Sequence, residues 1–166
     1  TTTNYNVAVG FEALQENTAS NNTAVGYKAL EENTTAGDNT GVGYAALTAN
    51  TTGTRNSAVG AFALDANTTG DYNSAFGSYA LTTSSTGDQN TALGYYALAM
   101  NTTGDSNTAA GYDALGDNTT ASHNTAIGRA ALSKNTTGTR NVAVGNYALE
   151  LTETADNNTA VGYEAL

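Results

Sequence analysis

Three aspartates share a spacing that could hold a cation. Asp71, Asp88 and Asp105 follow one another at intervals of seventeen residues, and each lies two residues before an Asn. If the fold stacks them, their carboxylates and the nearby Asn and Thr oxygens are the hard ligands that Ca²⁺ prefers. Ser, Gly or Thr takes the equivalent place in five other repeats, and like charges so close repel one another. We therefore expect no cofactor, with Ca²⁺ at these aspartates as the lesser alternative.

His123 is the single histidine of the chain and the first residue to consider as a catalytic base. A Ser nucleophile needs a positioned base and an orienting acid, and one His cannot serve many equivalent hydroxyls. The chain has no Cys and no second His that could complete a zinc site. We expect His123 to be a solvated loop residue and the protein not to be an enzyme.

Aromatic side chains recur along the chain, and their flat rings could bind a glycan or a protein partner. Tyr79, Tyr95, Tyr96 and Tyr112 make the possible ligand surface. The aromatic is missing at Arg129-Ala130, and a continuous binding surface would not obviously tolerate that gap. Packing between coils or subunits is the more ordinary role of such rings.

All these residues belong to tandem copies of Asn-Thr-Ala-Val-Gly-Tyr-x-Ala-Leu, which form a single repeat array over residues 1–166. The ten copies are spaced by seventeen residues, except for a first step of sixteen. They begin at Asn6, Asn22, Asn39, Asn56, Asn73, Asn90, Asn107, Asn124, Asn141 and Asn158. A fixed period of this kind indicates a stacked solenoid. Because the chain starts at Thr1-Thr2-Thr3 within a spacer, we expect it to be a segment of a longer protein.

We number the positions of a repeat from its opening Asn. Positions 2 to 4 predict one short strand per coil, stacked in parallel at about 4.8 Å so that like residues form ladders. Position 4 is apolar in every copy, so we expect it to face the core. The Gly at position 5 indicates a positive φ or a backbone contact too close for a Cβ. The predicted ladders are Asn22, Asn39, Asn56, Asn73, Asn90, Asn107, Asn124 and Asn141; Gly26, Gly43, Gly60, Gly77, Gly94, Gly111, Gly128 and Gly145; and Leu30, Leu47, Leu64, Leu81, Leu98, Leu115, Leu132 and Leu149.

The Ala-Leu pair at positions 8 and 9 leaves two structures open. Adjacent apolar residues lie on opposite faces of a strand, whose second face would then need a cover, but they share one stripe in a helical turn. The aromatic occurs at position 6 in some copies and at position 7 in others, and a one-residue slip in a strand would reverse its direction. This favours a helical turn.

Composition excludes several partners. Fifteen acidic residues against five basic ones give a net charge of −10, which repels nucleic acid and anionic membranes. No apolar run reaches the roughly 20 residues of a membrane span. The acids collect in or beside the polar spacers, which places them outside. A lone coil has too few large apolar side chains to offset its lost entropy, so the coils must stack. Even in a stack, Ala and Leu supply little apolar surface for a free-standing column, so we expect lateral association, with a trimer favoured.

The segments Asn6-Val7-Ala8-Val9-Gly10, Asn56-Ser57-Ala58-Val59-Gly60 and Asn141-Val142-Ala143-Val144-Gly145 resemble the short motif in the parallel β-roll heads of trimeric autotransporter adhesins. The longer pattern with its Asn-Thr-Thr-Gly spacer is similar to repeats of bacterial surface proteins and phage tail-fibre-like proteins. The similarity covers essentially the whole chain. It implies an elongated, trimeric rod on a cell or virion surface that takes part in attachment.

The sequence thus predicts a mainly β repeat fold, a parallel β-solenoid of about ten coils. We expect a structural or adhesive shaft of an extracellular fibre, filament or tail fibre that associates with itself and with a host glycan or receptor. A glycan- or receptor-binding module that uses the exposed Tyr and acidic spacers is the alternative. An ice-binding solenoid is a minor one.

Overall fold

Strands of three residues, one from each repeat, stack into a parallel β-solenoid. The computed structural model describes residues 5–166; Thr1-Thr2-Thr3, assigned above to a spacer, lie outside them. The strands are β1 (Val7–Val9), β2 (Thr23–Val25), β3 (Thr40–Val42), β4 (Ser57–Val59), β5 (Ser74–Phe76), β6 (Thr91–Leu93), β7 (Thr108–Ala110), β8 (Thr125–Ile127), β9 (Val142–Val144) and β10 (Thr159–Val161). They form one ten-stranded sheet in sequence order. The predicted fold is confirmed.

The strands pair in a register that places each repeat position above its own copy. Between β2 and β3, Thr23 lies opposite Thr40 and Val25 opposite Val42. The same register holds between the first two strands, although their repeats are sixteen residues apart. The first repeat is one residue shorter than the others, and the missing residue therefore belongs to the spacer and not to the strand.

Main-chain pairing between coils continues beyond the strands. After the strand, Ala45 N–H donates to Tyr27 O at 2.8 Å and Leu30 N–H to Ala46 O at 3.0 Å. In the spacer, Thr34 N–H donates to Thr51 O at 3.2 Å. The whole coil is thus hydrogen-bonded to its neighbours, because every repeat follows the same backbone path.

The interior of the coil is narrow and contains two kinds of apolar side chain. Ala at positions 3 and 8 and Leu at position 9 are fully buried in the central coils, as at Ala92, Ala97 and Leu98, which all have 0% exposure. These residues form one continuous cluster from Leu14 to Ala160. Only Ala is small enough for two of the three apolar columns, which explains why these positions vary so little.

The opening Asn of each repeat completes the backbone ladder. Its side-chain carbonyl accepts the main-chain N–H of the next opening Asn, as from Asn39 N to Asn22 Oδ1 at 2.9 Å. Its amide crosses the coil, and Asn39 Nδ2 donates to Gly53 O at 2.8 Å. Each such side chain therefore ties two coils together and closes its own coil.

A second Asn column lies at position 12, in the segment that the sequence assigned to a turn. Asn50 Nδ2 donates both to Asn33 Oδ1 at 2.8 Å and to Gly53 O at 2.9 Å. Asn33 and Asn50 have 0% exposure. The carbonyl at position 15 therefore accepts from both Asn columns. The sequence signal was the Asn at position 12 in seven repeats, namely Asn17, Asn33, Asn50, Asn67, Asn101, Asn118 and Asn135.

This second column is interrupted where another residue replaces Asn. Ser84 occupies position 12 in one coil, and its buried Oγ and the Oδ1 of Asn67 below it have no hydrogen-bond partner. Asn135 Oδ1 has no partner either, and the next residue of its column is Thr152. Within residues 5–166, two of the three unpartnered buried side-chain atoms are thus amide oxygens that face a missing amide.

The prediction of a helical turn after the Gly is wrong. The segment consists of two β-turns, which Ala29 N–H to Gly26 O at 3.5 Å and Asn33 N–H to Leu30 O at 3.3 Å close. Lys28 and Leu30 have φ values of 56° and 53°, which a right-handed helix does not allow. Residues 5–166 contain no helix, so none of them forms a helical membrane span.

The prediction that position 4 faces the core is also wrong. Ala at position 3 points inward, so position 4 points outward by the alternation of a strand. Val25 is 36% exposed, and Leu93 is 56% exposed. The strand therefore presents an apolar column to the outside of the solenoid.

The position 5 glycines give a first test of the stacking. Gly94 has φ +139°, and a Cβ there would lie 2.5 Å from Gly111 O. We expect Gly94→Ala to lower the free energy of unfolding by about 3 kcal/mol or more, measured by urea titration. Gly37→Ala is the control, because Ser, Thr or Asp occupies its position 16 in other repeats and a Cβ there would lie 3.1 Å from the nearest atom, Ser20 O; it should cost about 1 kcal/mol or less. Equal losses for the two variants would contradict the stacking geometry.

Ser84→Asn should stabilise the protein. The new amide can donate to Asn67 Oδ1 and its carbonyl can accept from Asn101, which removes two buried unpartnered atoms. Such atoms cost about 1–3 kcal/mol each, so we expect a gain of about 1–2 kcal/mol in the free energy of unfolding. Thr86→Asn, an exposed change two residues away, should change it by less than about 0.5 kcal/mol. A Ser84→Asn protein no more stable than the wild type would refute the second ladder.

Candidate interaction surface

The aromatic residues of positions 6 and 7 form one column along the outside of the solenoid. Phe11, Tyr27 and Tyr44 stack with centroids 5.5 and 5.0 Å apart and planes within 12° of parallel. The column continues through Phe62 and Tyr79 at 5.2 Å. It then reaches Tyr95, Tyr96 and Tyr112, with Tyr95 and Tyr112 stacked at 5.7 Å. The four tyrosines of the predicted ligand surface, Tyr79, Tyr95, Tyr96 and Tyr112, are therefore consecutive members of this column.

Positions 6 and 7 can both contribute side chains to the column because they are the two central residues of a β-turn. Tyr44 at position 6 meets Phe62 at position 7 edge-on, with centroids 5.2 Å apart. Side chains at the two corners of a turn can reach the same side, whereas neighbours on a strand cannot. The shift of the aromatic between positions thus results from the turn and needs no helix.

Arg129 fills the place where the aromatic is missing. Its guanidinium carbon lies 5.7 Å from the centroid of Tyr112 and 5.4 Å from that of Tyr147. A guanidinium plane can stack on aromatic rings from either side. The column therefore continues through Arg129 to Tyr147 and Tyr163, whose centroids are 6.1 Å apart.

Stacking determines which parts of the rings remain available. The nearly parallel pairs along the column cover part of each other's faces, whereas the edge-on and tilted pairs leave more of the faces open. Tyr44 is 51% exposed and Tyr112 is 54% exposed. Desolvation raises the pKa of Tyr95, and the neighbouring tyrosines add to the rise.

The aspartate column is bonded to the main chain. Asp71 N–H donates to Asp88 Oδ1 at 2.7 Å, and Asp88 N–H to Asp105 Oδ1 at 2.8 Å. Asp71 Oδ1 in turn accepts from Thr54 N–H. Each carboxylate thus accepts a main-chain N–H of the neighbouring coil, as the side-chain carbonyl of the opening Asn does. Within residues 5–166, no group of three or more acidic or His side chains is placed to hold a metal ion.

Other ionisable groups serve individual coils. The hydrogen bond to Glu31 and that to Glu12 raise the pKa of Lys28. Burial raises the pKa of Asp65, which Thr82 Oγ1 partly offsets by donating at 2.6 Å. Hydrogen bonds from Thr139 lower the pKa of Asp156. His123 is exposed at position 17, with its main-chain N–H bonded to Asp105 O.

Comparison with protein families, curated proteins and solved structures finds no match for this chain. The candidate surface is therefore defined by its geometry alone. Its two parts are the aromatic column and, two residues earlier in each repeat, the apolar column of position 4.

Arg129 provides the test of the column. We expect Arg129→Ala to lower the free energy of unfolding by about 1 kcal/mol, since each exposed cation–π contact contributes about 0.5–1 kcal/mol. Arg129→Tyr should retain most of the stability because a ring can stack in the same place. Arg140→Ala, at an exposed arginine of the same coil outside the column, should have little effect. If both alanine variants were equally stable, Arg129 would not be a member of the column.

Proposed function

We propose that this chain is a structural and adhesive shaft, a stiff segment of an extracellular fibre, filament or tail fibre. The observation that supports it best is the main-chain hydrogen bonding between coils, which occurs in the strand, in both turns and in the spacer. A load along the solenoid axis acts on many such bonds at once in each coil. Reach then depends on the number of repeats, at about 4.8 Å per coil.

The proposed location is the surface of a cell or virion. The resemblance of the repeats to adhesin heads and tail-fibre-like proteins supports it, as does a surface rich in Thr and acidic residues. The trimer implied by that resemblance stays a prediction. So does the absence of catalysis, of a cofactor and of nucleic-acid or membrane partners.

Binding of a glycan or receptor is the second candidate function. The exposed column from Tyr79 to Tyr112 favours it, because ring edges and phenolic hydroxyls can make directional contacts. A flat sugar stacking on a ring face fits less well, since neighbouring rings cover part of those faces. The ice-binding alternative stays a prediction as well; the Thr at position 2, as in Thr91, lies on the outward side of the strand beside position 4.

Single-molecule stretching tests the shaft. With the chain held at its two ends, we expect resistance followed by stepwise unravelling. Each coil should release roughly 50 Å, the contour of seventeen residues less one coil rise. Gly94→Ala should lower the force at which unravelling begins, and Gly37→Ala should not. A smooth extension without steps, like that of an unstructured chain, would refute a load-bearing role.

A further inference from the structure

Two neighbouring outward columns form an apolar strip along the solenoid. One is position 4, with Val25, Phe76, Leu93 and Ile127 between 36% and 56% exposed. The other is the aromatic column, whose tyrosines between Tyr27 and Tyr112 include several that are similarly exposed. The two columns are separated along the chain by the Gly of position 5 and, where the aromatic occupies position 7, by the residue of position 6. We call these two columns together the apolar strip.

The strip is large enough for a stable interface. A fully exposed aromatic side chain offers about 150–250 Å². At the exposures above, the strip presents on the order of 800 Å², the share that each partner contributes to a standard protein interface. Contiguous apolar patches of this size on soluble proteins mark interaction sites.

The distribution of charged residues indicates which kind of partner the apolar strip can bind. None of the fifteen acidic residues occupies position 2, 4 or 6 of any repeat, and three of them, Glu12, Asp113 and Glu164, occupy position 7 beside the rings of position 6. Two copies that each carry a net charge of −10 repel one another over most of their surfaces, and least along this strip, whose position 4 column has no charge. Arg129 is the one charged residue at position 6, and it lies between two tyrosine rings.

The period of the strip selects the partner further. Its side chains recur once per coil because every strand pairs in the same register. A partner with another repeat distance would match at a few coils and then fall out of step. A second copy of the same solenoid has the same rise and can match along the whole length.

We propose that the apolar strip is the lateral interface with a second copy of this chain, with the two solenoids side by side. This inference rests on the proposed role as a shaft and names its partner. Pairing along the strip covers the apolar face that folding of one chain leaves in water, and it thickens the rod. The hydrophobic effect drives the association, and the acids, most of which lie outside the strip, disfavour contact through other faces.

Sedimentation equilibrium of the purified chain tests the interface. We expect the wild type to associate at micromolar concentration. Leu93→Lys with Ile127→Lys, which puts two charges into the strip, should weaken association by about tenfold or more. Thr103→Lys with Thr137→Lys adds the same charge at exposed position 14 of the same two coils. This control should leave association unchanged, and circular dichroism should show all three proteins folded.

A single cysteine gives an independent readout, because the chain has none of its own. Leu93→Cys lies near the middle of the strip, so we expect it to form a disulfide-linked dimer under mild oxidation. Thr103→Cys should not. A folded wild type that stays monomeric at roughly 100 μM, or equal weakening by both lysine pairs, would overturn the inference and leave the strip to a different partner. Stretching of single chains would then still decide the shaft role separately.

Discussion

Hydrogen bonding between coils that follow the same backbone path is the constraint on which this structure depends. Each main-chain group can find its partner one coil away only if every repeat turns at the same residues. This explains the Gly at position 5, with φ between 130° and 142° in all ten repeats. It also explains why Leu98, like every Leu of position 9, adopts a left-handed φ. The strain of that conformation, about 1–2 kcal/mol, is offset by burying the Leu side chain.

Asn occurs where the main-chain ladder needs an extra donor or acceptor. An Asn side chain offers both, and it is short enough to stay within the narrow interior. Asn39 accepts the N–H of Asn56 at 2.8 Å and donates to Gly53 O. No apolar residue could satisfy those groups, and a buried amide left alone is costly. The interior is therefore partly polar, with Asn columns beside the Ala and Leu columns.

The period of seventeen was sufficient to predict the parallel solenoid, its register and the Leu interior, because identical units that stack must align like with like. The direction of position 4 was predicted wrongly, although a signal existed. Inner positions hold one size of residue, whereas position 4 ranges from Ala110 to Phe76. The prediction of a helical turn was wrong for another reason. Left-handed φ values at Lys28 and Leu30 are set by neighbouring coils, and local propensity does not reveal them.

Arg129 shows that the outer surface follows physical contact and not residue class. The sequence presented it as a break in the aromatic pattern, yet its guanidinium lies between Tyr112 and Tyr147. Stacking requires only one flat group in each coil, and a guanidinium is as flat as an aromatic ring. The inner columns tolerate no such exchange: Ser84 in place of Asn leaves two buried atoms without partners. Inside the coil, no water is at hand to replace a lost hydrogen-bond partner. The exposed column, in contrast, can exchange a ring for a guanidinium and stay continuous.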